Sequence, residues 1–122
     1  MLQSGGAGHH WVHWATARGT KFSYVITSGN EIDLTLADYV DYLIDDENTG
    51  TIALFIEAIR RPGDFMAAAR ALEAGNPIVA LKTGRNKKSR RSALSHTGAV
   101  SGDFDAYLAM CERYGIVNCR TY

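Results

Sequence analysis

The sequence predicts a three-layer α/β/α domain, a doubly wound parallel sheet with helices on both faces. Short β-rich runs alternate along the chain with helical patterns, and the connections between them are short, as parallel βαβ units require. The strand-like runs are largely apolar rather than alternating, which suits a sheet buried on both faces.

Three runs read as strands: "FSYVITSG" (22–29), "TIALFIEAI" (51–59) and "PIVALKTG" (77–84), each stopped by glycine or a polar residue. "GIVNCRT" (115–121) is a weaker fourth. In "TLADYVDYLIDD" (35–46), Leu36, Tyr39, Val40 and Leu43 recur at spacings of three and four and share one helical face. "DFMAAARALEAG" (64–75) is rich in strong helix formers and ends at Gly75, with Pro77 just beyond. "DFDAYLAMCERYG" (103–115) repeats that design and stops at Gly115. The opening "MLQSGGAGHH" leaves only Met1 to Gln3 for a first strand before a strand-to-helix turn. The sum is a flavodoxin-like sheet of about five strands. With so little of the first strand, and a last strand at the very end, residues 1–122 are expected to be one domain of a longer multidomain protein.

The bulk numbers bound the function. A chain of 122 residues has room for one ordinary core. It has 13 basic and 13 acidic residues and a formal net charge of zero, so the basic excess of a nucleic-acid binder is missing. Its dense basic stretch, Arg85 to Arg91, is local. No apolar run approaches the ~20 residues that span a bilayer. No secretory signal follows Met1. Cys111 and Cys119 make no disulfide framework and are expected to be small buried hydrophobes. The expectation is a cytoplasmic protein with neither membrane nor nucleic acid as partner.

In this fold, ligands sit beyond the carboxyl ends of the strands, where four stretches fall. "QSGGAG" (3–8) is a glycine turn opening a helix, whose free N–H groups and dipole suit an anion; a plain helix start is the alternative. Glu57 in "FIEAI" stands near the end of an otherwise apolar central strand. It must be paired or hydrogen-bonded there, unless the strand has already reached solvent. "KTGRNKKSRRSALSHTGAVSG" (82–102) is long for a connection in a compact domain. Its basic residues either attract a phosphate through their local field or form a solvated face. It carries His96, followed by Thr97 and Gly98. A neutral imidazole attacks phosphorus or carbonyl carbon when a carboxylate fixes its tautomer, and Glu57 and His96 on neighbouring strand ends would supply that pair. Lastly, "GHHWVHW" puts His9 and His13 four apart, a metal-ligand spacing. No third ligand is evident, Trp11 and Trp14 suggest packing, and no metal site is expected.

These stretches together carry a resemblance. "LQSGG", "KFSYVITSGNEIDLTLADYVDYLIDDENTGTIALFIEAI", "NPIVALKTGR" and "SHTGAVSGDFDAY" resemble the NDP-forming acyl-CoA synthetases. That superfamily includes the ADP-forming acetyl-CoA synthetases and is related to the succinyl-CoA synthetase α subunit. The likeness spans nearly the whole chain in order and spacing. It implies that His96, in "SHTGA", is a transiently phosphorylated histidine. It implies that Glu57 holds that histidine, and that Gln3, Ser4, Gly5 and Gly6 form the phosphate-cradling turn, with Thr97 and Gly98 beside the histidine. The reaction it implies interconverts a carboxylate, CoA and NTP with acyl-CoA, NDP and phosphate, through an enzyme-bound acyl phosphate.

By the same resemblance this domain carries no cofactor of its own, while the full enzyme uses CoA, ATP or another NTP, and Mg2+. Its expected partners are a CoA-binding Rossmann domain and an ATP-grasp domain, with a small-molecule carboxylate as substrate; a homo-oligomer is a further possibility, because a short first strand exposes sheet edges. Two departures stand out. "NKKSRRSAL" replaces a more neutral, small-residue segment, and "GGAGHHWVHW" is bulkier than the family's usual helix start, pointing to an acyl group other than acetate or succinate. The competing reading is a non-catalytic ligand-sensing or scaffold domain, as in acetyltransferase fusions. Retention of His96 and Glu57 weighs against it. A flavin-binding flavodoxin would need a more hydroxyl-rich turn, and a receiver domain an acidic cluster.

Overall fold

The computed structural model describes residues 1–59, 61, 63–85 and 104–120. The elements run α1 (Gly5–Thr16), α2 (Leu36–Ile44), β1 (Ile52–Ile56), α3 (Asp64–Glu73), β2 (Ile78–Lys82), α4 (Phe104–Arg113) and β3 (Val117–Asn118). β1, β2 and β3 form a parallel sheet in that order. Ile52 pairs with Ile78 and Ile56 with Lys82, while Val79 and Ala80 pair with Val117 and Asn118.

Leu2 extends the sheet on its other side. It bridges in parallel to Phe55 of β1 and to Thr27, through Leu2 N–H to Ile26 O (2.9 Å), Ser28 N–H to Leu2 O (2.9 Å), Gln3 N–H to Phe55 O (3.2 Å) and Phe55 N–H to Met1 O (2.9 Å). The lateral order is therefore Thr27, Leu2, β1, β2, β3. From Leu2 the chain goes outward to Thr27 and then crosses back to β1 on the opposite side. Strand order reverses between Leu2 and β1, the topological switch point of a doubly wound sheet.

The faces are covered unequally. Ile52, Leu54 and Ile56 of β1 and Ile78 and Ala80 of β2 join Leu36, Val40 and Leu43 of α2, Ala67, Ala68 and Ala71 of α3, and Tyr107 and Cys111 of α4 in the main core. On the other face α1 lays Trp11 against a smaller cluster of Leu2, Phe55 and Leu81. The Trp11 and Phe55 rings meet edge to face at 5.8 Å, the arrangement aromatic quadrupoles favour.

The helices sit within a few residues of their sequence-based spans, and their ends have local causes. α2 buries Leu36, Val40 and Leu43 and leaves Tyr39 half-buried. At its start the Asp38 carboxylate accepts from the Thr35 N–H (2.7 Å) and hydroxyl (2.8 Å). This turned-back carboxylate satisfies a donor that the helix start would otherwise leave open. α3 ends where Gly75 takes φ 86° and Asn76 N–H returns to Ala71 O (2.8 Å), a left-handed stop that glycine allows. Across the α2–α3 seam Arg70 grips Asp41 with two nitrogens at 2.7–3.0 Å. Half-exposed as it is, that pair contributes less than about 1 kcal/mol.

The strands are shorter than the sequence suggests. The 22–29 run pairs only around Thr27, because a ladder needs a partner and Leu2 alone provides one. Phe22, Tyr24 and Val25 remain exposed. The 115–121 run contributes two residues. Between residues 20–25, α1 and the start of β1 lies an apolar cavity of about 450 Å3, at the end of the sheet remote from the carboxyl edge. Among the described residues no helix is long and apolar enough to cross a membrane.

Two outcomes test this packing. Ile52 is 2% exposed, so Ile52→Ala is expected to cost about 2–5 kcal/mol in urea unfolding. Ile32→Ala, at a side chain 94% exposed, should change stability by less than about 0.5 kcal/mol. Equal costs would contradict the burial pattern. The second concerns pH. The Thr35 N–H and hydroxyl, with Arg61 beyond them, hold the Asp38 carboxyl below its ordinary range. A depressed folded-state pKa gives stability that is fully present above the unfolded value, about 4, and lost as pH falls through the folded value. Asp38→Asn should therefore flatten the fall of melting temperature below about pH 4; an unchanged acid slope would rule this contribution out.

Candidate functional site at the carboxyl edge of the sheet

The switch point parts two strand ends, and of the residues singled out from the sequence the Gln3–Gly6 turn and Glu57 lie beside it. Ser4 O accepts the Gly8 N–H at 3.1 Å, the first helical bond, so Ser4 stands at the N-terminal boundary of α1. Gly5 and Gly6 follow in the first turn, exposed. A Cβ at either would meet nothing within 4 Å. The packing of the described residues thus does not require glycine here; small residues keep the approach to the helix N-terminus open. The first-turn N–H groups and the positive end of the helix dipole attract anions at such a place.

Gln3 sits differently from the other turn residues. It is buried, and its side-chain amide turns toward β1. Oε1 accepts the N–H groups of Glu57 (2.6 Å) and Ala58 (2.9 Å), and Nε2 donates to Ala58 O (2.8 Å). Gln3 thereby ties the turn to the end of β1, one strand away.

Glu57 is the first residue past β1, half-buried. Its carbonyl oxygen accepts from Lys82 Nζ at 3.0 Å. Lys82, the last residue of β2, is 2% exposed, and Nζ also donates to Thr83 O at 3.3 Å. Sequence reading did not single it out. The signal was present: a lysine inside the apolar run "PIVALKTG" poses the same question as the glutamate inside "FIEAI".

On the outer side, Ser28 donates through Oγ to a buried Glu31 carboxylate (2.9 Å). Glu31 holds φ 52°, a left-handed conformation uncommon outside glycine. The segment "SGNEID" thus turns at the same edge, next to the end of the Leu2 strand.

Arg85 opens the basic stretch, and its guanidinium serves the fold. Nε donates to Lys82 O (3.0 Å), and the two terminal nitrogens donate to Cys119 O and Arg120 O. The same group stands 5.8 Å from the Phe104 ring at the start of α4. It straps the end of β2 to the end of β3 and to α4. His96, Thr97, Gly98 and the rest of the basic stretch lie outside the described residues.

The remaining candidates fall away from the edge or into the core. His9, His10 and His13 are exposed on α1, and His9 meets the His10 ring edge-on at 5.9 Å. Among the described residues no group of three His, Cys, Asp or Glu side chains is arranged to hold a metal. Both cysteines are free. Cys111 is buried and its thiol is pushed up by desolvation, which disfavours the nucleophilic thiolate. The neighbouring Tyr107 phenol is pushed up by burial as well and donates to Asn118 Oδ1 at 3.2 Å.

Known proteins with this pattern agree in fold and family. The family model for the succinyl-CoA ligase like flavodoxin domain matches residues 1–122. A trans-feruloyl-CoA synthase from an unknown prokaryotic organism is 44% identical over 101 residues, 82% of this chain and 14% of that protein. The α subunit of the ADP-forming acetate–CoA ligase II of Pyrococcus furiosus is 34% identical over 121 residues, 99% of this chain and 26% of the subunit. Among solved structures, the dinucleotide-forming acetyl-coenzyme A synthetase 1 of Ca. Korarchaeum cryptofilum, in complex with phosphate and ADP, superposes with a TM-score of 0.86 at 29% identity. That match covers 98% of this chain and 26% of the other. The chain thus spans between a seventh and about a quarter of these relatives. With the full-length family match, the parallel sheet and the order reversal beside Leu2, the chain belongs to the succinyl-CoA ligase like flavodoxin domain family.

Proposed function

We propose that this chain is the histidine-phosphorylated domain of an NDP-forming acyl-CoA synthetase, with His96 as the phosphoryl carrier. One observation supports the reading above the others: the open glycine turn and Glu57 occupy neighbouring strand ends at the switch point. The end of β2, from which the chain leads on toward His96, lies one strand further at the same edge. The relatives named above include ADP-forming acetate–CoA ligases and a feruloyl-CoA synthase, and a related solved structure holds phosphate and ADP.

The proposed chemistry divides one difficult transfer into simpler ones. A ring nitrogen of neutral His96 attacks the γ-phosphorus of NTP; the N–P bond forms, the P–O bond breaks, and NDP leaves. The Glu57 carboxylate accepts the other ring N–H and so fixes the tautomer and stabilises the positive charge that develops on the imidazole. A carboxylate substrate oxygen then takes the phosphoryl group, regenerating the imidazole and giving an acyl phosphate. The CoA thiolate finally attacks its carbonyl carbon and releases phosphate. In the turn, the N–H groups at the start of α1 stabilise the phosphoryl oxygens, fixed beforehand by the helix. Gln3 holds that turn to the strand end bearing Glu57, while Ser4, Gly5 and Gly6 frame the anion; Thr97 and Gly98 complete the cradle beside His96.

CoA, NTP and Mg2+ belong in this proposal to a CoA-binding Rossmann domain and an ATP-grasp domain, the partners of this one. Mg2+ supplies charge neutralisation on the nucleotide, and the described residues of this chain are given no part in holding it. The bulky α1 start, "GGAGHHWVHW", favours a carboxylate other than acetate or succinate.

Incubation of the full-length protein with γ-labelled ATP tests the reading. Acid-labile, base-stable label should map to the peptide containing His96 and discharge on adding a suitable carboxylate and CoA. His96→Ala should abolish it. Glu57→Gln should slow labelling about 100-fold, the lower end of what proton-handling groups contribute. A folded protein that takes no label but binds acyl-CoA would favour the sensing or scaffold reading instead.

A further inference from the structure

Past the last backbone pairs of β1, its ladder is completed by side chains. On one side the final backbone bond is Gln3 N–H to Phe55 O; on the other it is Thr83 N–H to Ile56 O at 2.9 Å. The strands diverge from there, and the next peptide groups of β1 would lose their partners inside the protein. Two buried side chains from the flanking strands take over. Gln3 accepts the Glu57 N–H and brackets Ala58 through both its N–H and its carbonyl. Lys82 donates its ammonium to the Glu57 carbonyl and, at the same time, to Thr83 O. Both backbone polar atoms of Glu57 are thus held by side chains, one from each neighbouring strand.

We infer that Gln3 and Lys82 are positioning residues for the Glu57 carboxylate, acting from opposite sides of the switch point. Burying an ammonium is costly even when it is hydrogen-bonded, and an apolar strand end would avoid that cost. What the arrangement provides is a half-buried glutamate whose backbone is fixed on both sides where the strands separate. Lys82 also couples Glu57 to Thr83, the first residue on the path toward His96. This inference rests on the proposed role of Glu57, and it assigns Gln3 to the carboxylate as well as to the turn.

The test is a double-mutant cycle in the full-length protein, read as the rate of acid-labile labelling by γ-labelled ATP. Lys82→Met is expected to slow labelling about tenfold in the wild-type background and less than about twofold in the Glu57→Gln background, because residues acting through one group are not additive. Equal losses from Lys82→Met in both backgrounds would mean general structural support and overturn the inference; so would no loss in the wild type. Hydrogen exchange reads the bracket without the chemistry. In Gln3→Ala, which removes the acceptor of both N–H groups, the peptide covering 57–58 should lose protection while the peptide covering Ile52–Leu54 keeps it. Unchanged exchange at 57–58 would also overturn the inference, and it remains readable should Lys82→Met fold poorly. An unlabelled wild type would refute the histidine reading and this positioning role with it, whereas a labelled wild type with additive variants would refute the positioning role alone.

Discussion

The pairing of Leu2 with two neighbours at once is the constraint on which the rest depends. This one residue is hydrogen-bonded in parallel to the segment around Thr27 on one side and to β1 on the other. Because the chain must run outward to Thr27 and then return across Leu2 to β1, the helices on the two routes lie on opposite faces of the sheet. α1 covers one face, and α2, α3 and α4 cover the other. The reversal also parts the strand ends after Gln3 and Ile56. A parted pair of carboxyl ends is where this architecture has room for a ligand.

The stability of the domain and its candidate chemistry are spatially separate. The apolar burial is concentrated where α2 and α3 pack on β1 and β2, with Ile52, Val40, Ala71 and Ala80 almost entirely withdrawn from solvent. The carboxyl edge is built instead from buried polar groups: Gln3, Glu31 and Lys82. Each is engaged by hydrogen bonds to backbone or side chain, as burial of polar groups demands. Such a polar layer is directional where an apolar one is not. It holds the backbone of Glu57 and of Thr83 while the main core carries the fold.

Within that layer, charge does two kinds of work. Arg85, which by sequence begins a basic run suited to attracting phosphate, spends its guanidinium on the carbonyls of Lys82, Cys119 and Arg120. Its planar fork matches several carbonyls at once. Lys82, hidden in an apolar strand, sits against the backbone of the candidate glutamate. Two basic residues of one stretch, 82–102, thus serve differently: Arg85 is a strap, and Lys82 is buried against the backbone of Glu57. Local sequence reports the chemical type of a side chain but not which neighbouring strand receives it.

Sequence alone determined the class of fold and the kind of residues at its edge. Apolar strand runs and three- and four-residue helical spacing are local properties, so α2, β1, α3, β2 and α4 were legible within a few residues, and Gly75 marked the end of α3 because only its backbone turns left-handed there without strain. The Gln3–Gly6 turn and Glu57 were legible as candidates for the same reason. Tertiary structure decided the pairings. It shortened the 22–29 run to a bridge at Thr27, since strand length depends on a partner that is remote in sequence. It turned the Gln3 amide onto Glu57 and Ala58, 54 and 55 residues away, and brought Lys82 to Glu57 across 25 residues. Hydrogen bonds between distant segments leave no period in the sequence, and the order reversal that creates them exists only once the strands have paired.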